Sequence, residues 1–93
     1  EEKNPLAALK DNLDVVRHIH ISANDRGTPG KDHCPTRETI AIGVAGGYNG
    51  YLTIEAFGGS LPDLAAATRV WRSFFKNEEE VYTDGYAFIK SCL

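Results

Sequence analysis

Two segments of the sequence alternate apolar and polar side chains, and this alternation limits what the chain can fold into. They run from Val15 to Ser22 and from Tyr51 to Phe57. A period of two residues predicts β-strands, whose successive side chains point to opposite faces. Each predicted strand is apolar on one face only, and the residues of that face are Ile19, Ile21, Leu52 and Ile54. The opposite face carries His18, His20, Ser22, Thr53 and Glu55.

Helical signals lie before and between these strands. Asn4 and Pro5 are typical of the N-cap and first residue of a short helix, which is expected to continue to about Lys10. Residues 35–46 are ambiguous, because their apolar positions alternate like those of a strand whereas Pro35 favours the start of a helix. We predict a helix there, since two parallel strands need a long crossover between them.

Two more helices are predicted after the second strand. Ser60 to Asp63 has the pattern of a capping box with proline in the first turn. The helix that follows is expected to carry one apolar stripe, made of Leu64, Ala67, Trp71, Phe74 and Phe75. Asn77 is expected to cap a last helix, with three glutamates near its positive end. The apolar side of that helix is predicted to be Val81, Phe88, Ile89 and Cys92.

The predicted element order is therefore α-β-α-β-α-α, and residues 1–93 are expected to form a single α/β domain. Strands that alternate with helices indicate two parallel strands joined by a right-handed crossover. Because a parallel pair needs neighbours at both edges, the chain is expected to be part of a larger parallel sheet or barrel.

Composition argues against several functional classes. The net charge of −3 and the scattered lysines and arginines are unlike a nucleic-acid or anionic-membrane surface. No apolar run reaches the roughly 18 residues of a membrane span, and the charged N-terminus is unlike a signal peptide. Cys34 and Cys92 are expected to be reduced thiols, which together with these features predicts a cytoplasmic protein.

The polar faces of the two strands predict a metal site. In a (β/α)8 barrel the strand face away from the helices looks toward the axis, and active sites lie at the C-terminal strand ends. His20 and Glu55 are near those ends, and neighbouring strands lie about 4.8 Å apart, so one ion can contact both side chains. An imidazole with a carboxylate suits manganese, cobalt, zinc or magnesium. We therefore predict His20 and Glu55 as two ligands of one divalent cation.

Three stretches of the sequence resemble a known family. They run from His18 to Gly30, from Gly47 to Gly58 and from Leu61 to Arg72, and the resemblance as a whole extends over nearly the entire chain. They are similar to the C-terminal part of the ketose 3-epimerases, the D-tagatose and D-psicose 3-epimerase group of the xylose-isomerase-like sugar isomerases and epimerases. The resemblance implies the C-terminal fragment of a (β/α)8 TIM barrel, with two parallel strands.

The resemblance also implies roles for individual residues. The family binds its metal through Glu, Asp, His and Glu, and His20 and Glu55 match the last two. An arginine six residues after the metal histidine contacts substrate, and Arg26 stands at that place. The cofactor implied is a divalent metal, with Mn²⁺ as the first choice and Mg²⁺ or Co²⁺ as alternatives. The other Glu and the Asp belong to strands that this chain does not contain.

The chemistry implied is proton transfer at the carbon beside the carbonyl of a ketose, through a metal-stabilised enediolate. Glu55 is expected to be one of two catalytic glutamates and a metal ligand as well. Whether the chain is an enzyme stays open, because two ligands and the second glutamate are missing. The sequence from His33 to Thr36 also lacks the aromatic residue that the family often has near this position.

Other interpretations stay open beside this one. The chain is alternatively a non-catalytic module that associates through its sheet edges, or a relative that acts on another sugar or a hydroxy-keto acid. The partners expected are a small ketose and either a second copy or the missing part of the barrel. Arg26 is alternatively a surface residue paired with Asp25 or Asp32, and His18 is more typical of a packing or supporting residue than of a ligand.

Overall fold

The structure is a computed structural model that describes residues 2–93. Its elements are α1 (Pro5–Asp11), β1 (Ile19–Ser22), α2 (Thr36–Ala45), β2 (Leu52–Glu55), α3 (Pro62–Ala67) and α4 (Glu78–Cys92). A single 3-10 turn at Leu13–Val15 precedes β1. The predicted order of helices and strands is confirmed, and the ambiguous segment between the strands is helical.

The two strands form a parallel pair, as predicted. Ile19 lies beside Leu52, and Ser22 lies beside Glu55. Both strands are shorter than the alternating segments, because Val15 belongs to the 3-10 turn and pairing ends at Glu55. The alternation of side chains between the two faces was predicted correctly, but the predicted strands were longer than the observed ones.

The core lies on one face of this sheet. Ile19 and Ile21 of β1 pack with Ile40 of α2 and Ile89 of α4, and all four are buried. Leu52 and Ile54 of the neighbouring strand pack against the same cluster. Helices α2 and α4 therefore cover the apolar face of the sheet, and the polar face stays open.

Helix α4 and the loop after β1 approach each other closely. Gly30 has φ +92°, and a Cβ atom added there would lie 2.5 Å from the Phe88 ring. Lys31 reaches across to the same helix, with its Nζ 2.9 Å from Glu80 Oε1 and 2.6 Å from Asp84 Oδ2. These two hydrogen bonds raise the pKa of Lys31. The loop is thus tied to α4 by packing and by charge.

Helix capping was predicted well at two of the three helices for which the sequence indicated a cap. Asn4 Oδ1 accepts the Ala7 N–H at the start of α1, and Asn77 Oδ1 accepts the Glu80 N–H at the start of α4. The capping box predicted at Ser60 is wrong, because Leu61 is the N-cap of α3 and makes no side-chain capping bond. Ser60 Oγ instead donates to the Glu78 carboxylate and joins the two helix starts.

The apolar stripe predicted to continue through Phe75 on one helix is wrong, because α3 ends at Ala67. Arg69 has φ 61°, its N–H bonds the Ala66 carbonyl, and the Val70 N–H bonds the Ala65 carbonyl. This pair of bonds is the Schellman motif, in which a left-handed residue closes a helix. Glycine usually occupies the left-handed position, and arginine gives no such signal in the sequence. Consequently Trp71, Phe74 and Phe75 lie on irregular chain.

Truncation of the most buried core side chain tests the packing of α2. Ile40 is 1% exposed, whereas Val44 on the same helix is 51% exposed. Ile40→Ala is expected to lower the free energy of unfolding by about 2–5 kcal/mol, because it removes buried methyl groups and leaves a cavity. Val44→Ala serves as the control and should cost less than about 1 kcal/mol. Equal losses in urea titrations would contradict this core.

Alanine substitutions at two glycines of similar backbone conformation test the contact between Gly30 and Phe88. Gly47 has φ +82° and no atom within 4 Å of an added Cβ. Gly47→Ala is expected to cost about 1–2 kcal/mol through backbone strain alone. Gly30→Ala should cost about 1–3 kcal/mol more, because the methyl group also displaces the Phe88 ring. Indistinguishable denaturation midpoints would refute the close approach of the loop to α4.

Candidate functional site

The open face of the sheet places four polar side chains in two contacting pairs. His18 Nε2 lies 2.7 Å from Thr53 Oγ1, and His20 Nδ1 lies 2.5 Å from Glu55 Oε2. His20 therefore meets the residue two positions beyond its register partner Thr53, and His18, just before β1, meets Thr53 itself. The two imidazole rings are 4.9 Å apart. The polar residues of the alternating pattern thus form one continuous surface.

His20 and Glu55 are brought together, as the sequence predicted. Their side chains are 55% and 34% exposed, so the pair is accessible to solvent and to other groups. Since a carboxylate oxygen accepts hydrogen bonds, Nδ1 of His20 is the donor in this contact. Glu55 Oε2 accepts this hydrogen bond. The other carboxylate oxygen, Oε1, has no hydrogen-bond partner within residues 2–93.

The chemistry of this donor pair fits a divalent cation. An imidazole nitrogen and a carboxylate oxygen are both common ligands, and here they point at one another across two strands. His20 Nδ1, once free of its proton, and Glu55 Oε2 would hold the cation together. His20 and Glu55 as ligands stay a prediction.

The described part of the chain does not gather a larger ligand cluster. Residues 2–93 contain no group of three or more His, Cys, Asp or Glu side chains arranged to hold a metal ion. Protein metal sites use four or more ligands. The pair therefore needs further ligands from water, substrate or other strands.

Arg26 lies at the same end of the sheet. Its carbonyl accepts the Phe57 N–H at 3.0 Å, which joins the loop after β1 to the chain just beyond Glu55. Its guanidinium carbon lies 5.7 Å from the centre of the Phe57 ring. The side chain is exposed and forms no ion pair with Asp25 or Asp32. Substrate contact by Arg26 stays a prediction, and its contact with Phe57, two residues after Glu55, is compatible with it.

Asp32 organises the loop between Arg26 and α2. Its Oδ2 accepts the Asn24 N–H at 3.1 Å and the Cys34 N–H at 3.4 Å. Partial burial acts to raise the pKa of Asp32, but hydrogen bonds from Cys34, Asn24 and Gly30 outweigh it and hold the pKa below its usual value. His33, interpreted as a loop residue, contacts Asn24 Nδ2 through Nε2 at 3.2 Å. Cys34 and Cys92 are free thiols.

A groove beside Arg26 was missed by the sequence analysis. It lies between the loop after β1 and the chain after α3, and its lining includes Asn24, Arg26, Arg69, Trp71, Arg72 and Phe74. Arg69 and Arg72 fell inside the helix that was predicted to continue to Phe75. If the helix had been predicted to end at Ala67, both arginines would have been placed in the loop that follows it. The sequence did not indicate this end, because it has no glycine there.

Curated proteins similar to the chain are sugar epimerases. A probable ketose 3-epimerase of Synechocystis sp. is 33% identical over 90 residues, which are 97% of this chain and 31% of that protein. A ketose 3-epimerase of Arthrobacter globiformis is 27% identical over 95 residues, covering 100% of this chain and 33% of that protein. The chain resembles the C-terminal third of ketose 3-epimerases. No protein-family model matches it.

Solved structures agree on the fold of this epimerase-like chain. The D-allulose 3-epimerase of Methylomonas sp. superposes with a TM-score of 0.87 at 24% identity, covering the whole chain and 33% of that protein. An L-ribulose 3-epimerase superposes with a TM-score of 0.89 at 23% identity, over 32% of its length. The fold prediction is confirmed: the chain is a small α/β unit with two parallel strands that matches about a third of these TIM barrels.

The chain thus spans about a third of the relatives that it matches. The Methylomonas enzyme was also solved in complex with D-allulose, and that structure superposes with a TM-score of 0.86. Within residues 2–93, no helix is long and apolar enough to cross a membrane. The cytoplasmic location stays a prediction.

Proposed function

We propose that the chain forms the C-terminal part of a metal-dependent ketose 3-epimerase, with His20 and Glu55 as two of its metal ligands. The observation that carries this proposal is the 2.5 Å contact between His20 Nδ1 on β1 and Glu55 Oε2 at the C-terminal end of the parallel strand β2. Similarity to ketose 3-epimerases over the whole chain supports it. The remaining ligands and the second glutamate come from strands outside this chain.

The cation proposed is Mn²⁺, with Mg²⁺ or Co²⁺ as alternatives, because a mixed nitrogen and oxygen donor set accepts all three. Bound there, a divalent cation supplies positive charge that favours negative charge on the oxygens of a ketose. The proton transfer itself depends on side chains of the protein. Without the cation, Glu55 Oε2 accepts from His20 Nδ1, and with it both atoms would be ligands, so that in either case Oε1 is free of partners within the described residues.

Glu55 Oε1 is therefore the atom proposed to take or return the proton on the carbon beside the carbonyl. Inversion at that carbon needs a second acid or base on its other side, which is proposed to come from a strand outside this chain. Arg26 is proposed to orient the substrate by donating hydrogen bonds from its guanidinium group to sugar oxygens. Its stacking on Phe57 and the bond from Phe57 N–H to its carbonyl hold it against the chain two residues beyond Glu55.

A chimera tests this function. Residues 1–93 replace the matching third of the Synechocystis relative, and exchange of the substrate C3 proton with solvent deuterium is followed by NMR in the presence of Mn²⁺. Glu55→Gln is expected to slow exchange by about 10²–10⁴-fold, since it removes a general base. His20→Ala should weaken Mn²⁺ binding by about tenfold or more, as measured by electron paramagnetic resonance of the free ion.

His33→Ala is the matched control, because His33 lies in the neighbouring loop and contacts Asn24 rather than Glu55. It should leave both the exchange rate and Mn²⁺ affinity within about twofold. The proposed site is refuted if His20→Ala leaves exchange and metal affinity unchanged in a chimera that is active.

A second candidate function is self-association of the chain, which the unpaired edges of its two-stranded sheet favour. Within residues 2–93, β1 and β2 pair only with each other, so both outer edges expose backbone donors and acceptors. Tyr51, just before β2, is 80% exposed. We propose that the chain on its own self-associates through these edges.

Sedimentation velocity tests the association of the chain. A species heavier than the 10.2 kDa monomer is expected, with a population that grows with protein concentration. Tyr51→Lys should shift the distribution toward monomer, because a lysine beside an edge strand opposes pairing. Tyr82→Lys on α4, where the tyrosine is 58% exposed, is the control and should not. A single monomeric species at all concentrations would exclude this function.

A further inference from the structure

His18 stands at the start of the polar face of the sheet and has no role in the function proposed above. It comes one residue before β1, and its neighbour Ile19 is buried in the core. Because successive residues of an extended chain point to opposite faces, the burial of Ile19 directs His18 and His20 to the same side. His18 is exposed, so its burial contributes little to the stability of the fold. Its position is explained by what it contacts on the polar face.

One hydrogen bond holds the His18 ring across the two strands. His18 Nε2 lies 2.7 Å from Thr53 Oγ1, and Thr53 is half-buried on β2, directly beside His20 in the register of the sheet. Within residues 2–93, this is the one hydrogen bond of the Thr53 side chain. Because threonine is β-branched and has few side-chain rotamers, it offers a nearly fixed point of attachment. The bond therefore restrains the rotation of the His18 imidazole.

The restrained ring of His18 lies against the imidazole of His20. The ring centres are 4.9 Å apart and the ring planes are tilted by 56°, an arrangement typical of paired aromatic side chains. The side chain of His20 is 55% exposed, and its hydrogen bond is made with Glu55 through Nδ1. An imidazole surrounded by this much solvent turns easily about χ2, a torsion with broad minima. The neighbouring ring removes part of that freedom on one side of His20.

We propose that His18 is a positioning residue for the metal site: bound to Thr53, it holds the His20 imidazole with Nδ1 toward Glu55 before a cation binds. The inference rests on the proposed function, in which His20 and Glu55 are ligands. A ligand that is already oriented loses less side-chain freedom on binding, which favours affinity. Removal of the groups that orient metal-binding histidines typically costs about 10–100-fold in metal affinity. A role in packing alone would stabilise the fold and leave the orientation of His20 unchanged.

NMR of the chain without metal tests this arrangement at one fixed pH. The measurements are the three-bond couplings that report χ1 of His20 and the ¹³C relaxation of its ring. The parent chain is expected to show one χ1 rotamer and a rigid ring. His18→Ala should give averaged couplings and a more mobile ring. Thr53→Val should act in the same direction, because it keeps the branched shape of threonine and removes the hydroxyl that holds His18.

Thr39→Val is the matched control for the loss of a hydroxyl. Thr39 Oγ1 donates to the Pro35 carbonyl at the start of α2 and contacts no residue of the polar face. It should leave the couplings of His20 unchanged. In the chimera described above, His18→Ala and Thr53→Val should each weaken Mn²⁺ binding by about tenfold, whereas Thr39→Val should stay within about twofold of the parent.

A His20 ring that is mobile in the parent chain would overturn the proposal. So would His18→Ala and Thr53→Val variants in which the urea midpoint falls but the couplings of His20 do not change, since that result assigns His18 to packing. Failure of the proposed function is recognised separately. In that case His20→Ala leaves Mn²⁺ binding of the active chimera unchanged, whether or not the His20 ring is ordered in the chain.

Discussion

The parallel pairing of β1 with β2 is the constraint on which the rest of the molecule depends. Its register, with Ile19 beside Leu52 and Ser22 beside Glu55, sorts every strand side chain to one of two faces. A shift of one residue would turn the isoleucines toward solvent and His20 toward the helices. The core beneath α2 and α4 and the imidazole–carboxylate pair above it are thus two results of one hydrogen-bonded ladder.

Whatever followed from local periodicity could be predicted from the sequence. The two strand faces and the capping roles of Asn4 and Asn77 each depend on spacing within a few residues. The contact between His20 and Glu55 joins two strands, and it could be predicted because each strand's own alternation places its polar residue on the same face of the parallel pair. Similarity to the epimerases then indicated that the fold is part of a TIM barrel, which two strands alone cannot show.

Two features could not be predicted because their causes are not local. Helix α3 ends in a Schellman motif that has Arg69 where glycine is usual, so the apolar pattern appeared to continue. The arginine groove brings residues near position 25 against residues near position 70, and only the tertiary fold determines that approach. Ser60 was misassigned for the same reason, since its partner Glu78 belongs to a different helix.

The anchoring of the loop after β1 has a consequence for how the chain can vary in length. Surface loops usually accept extra residues. Here Thr28 and Pro29 are buried, and Gly30 and Lys31 are fastened to α4. An inserted residue would displace Arg26 from its place beside β2. Related chains should therefore keep this loop at constant length and differ in length near Gly47 and Gly59, where the surroundings are empty.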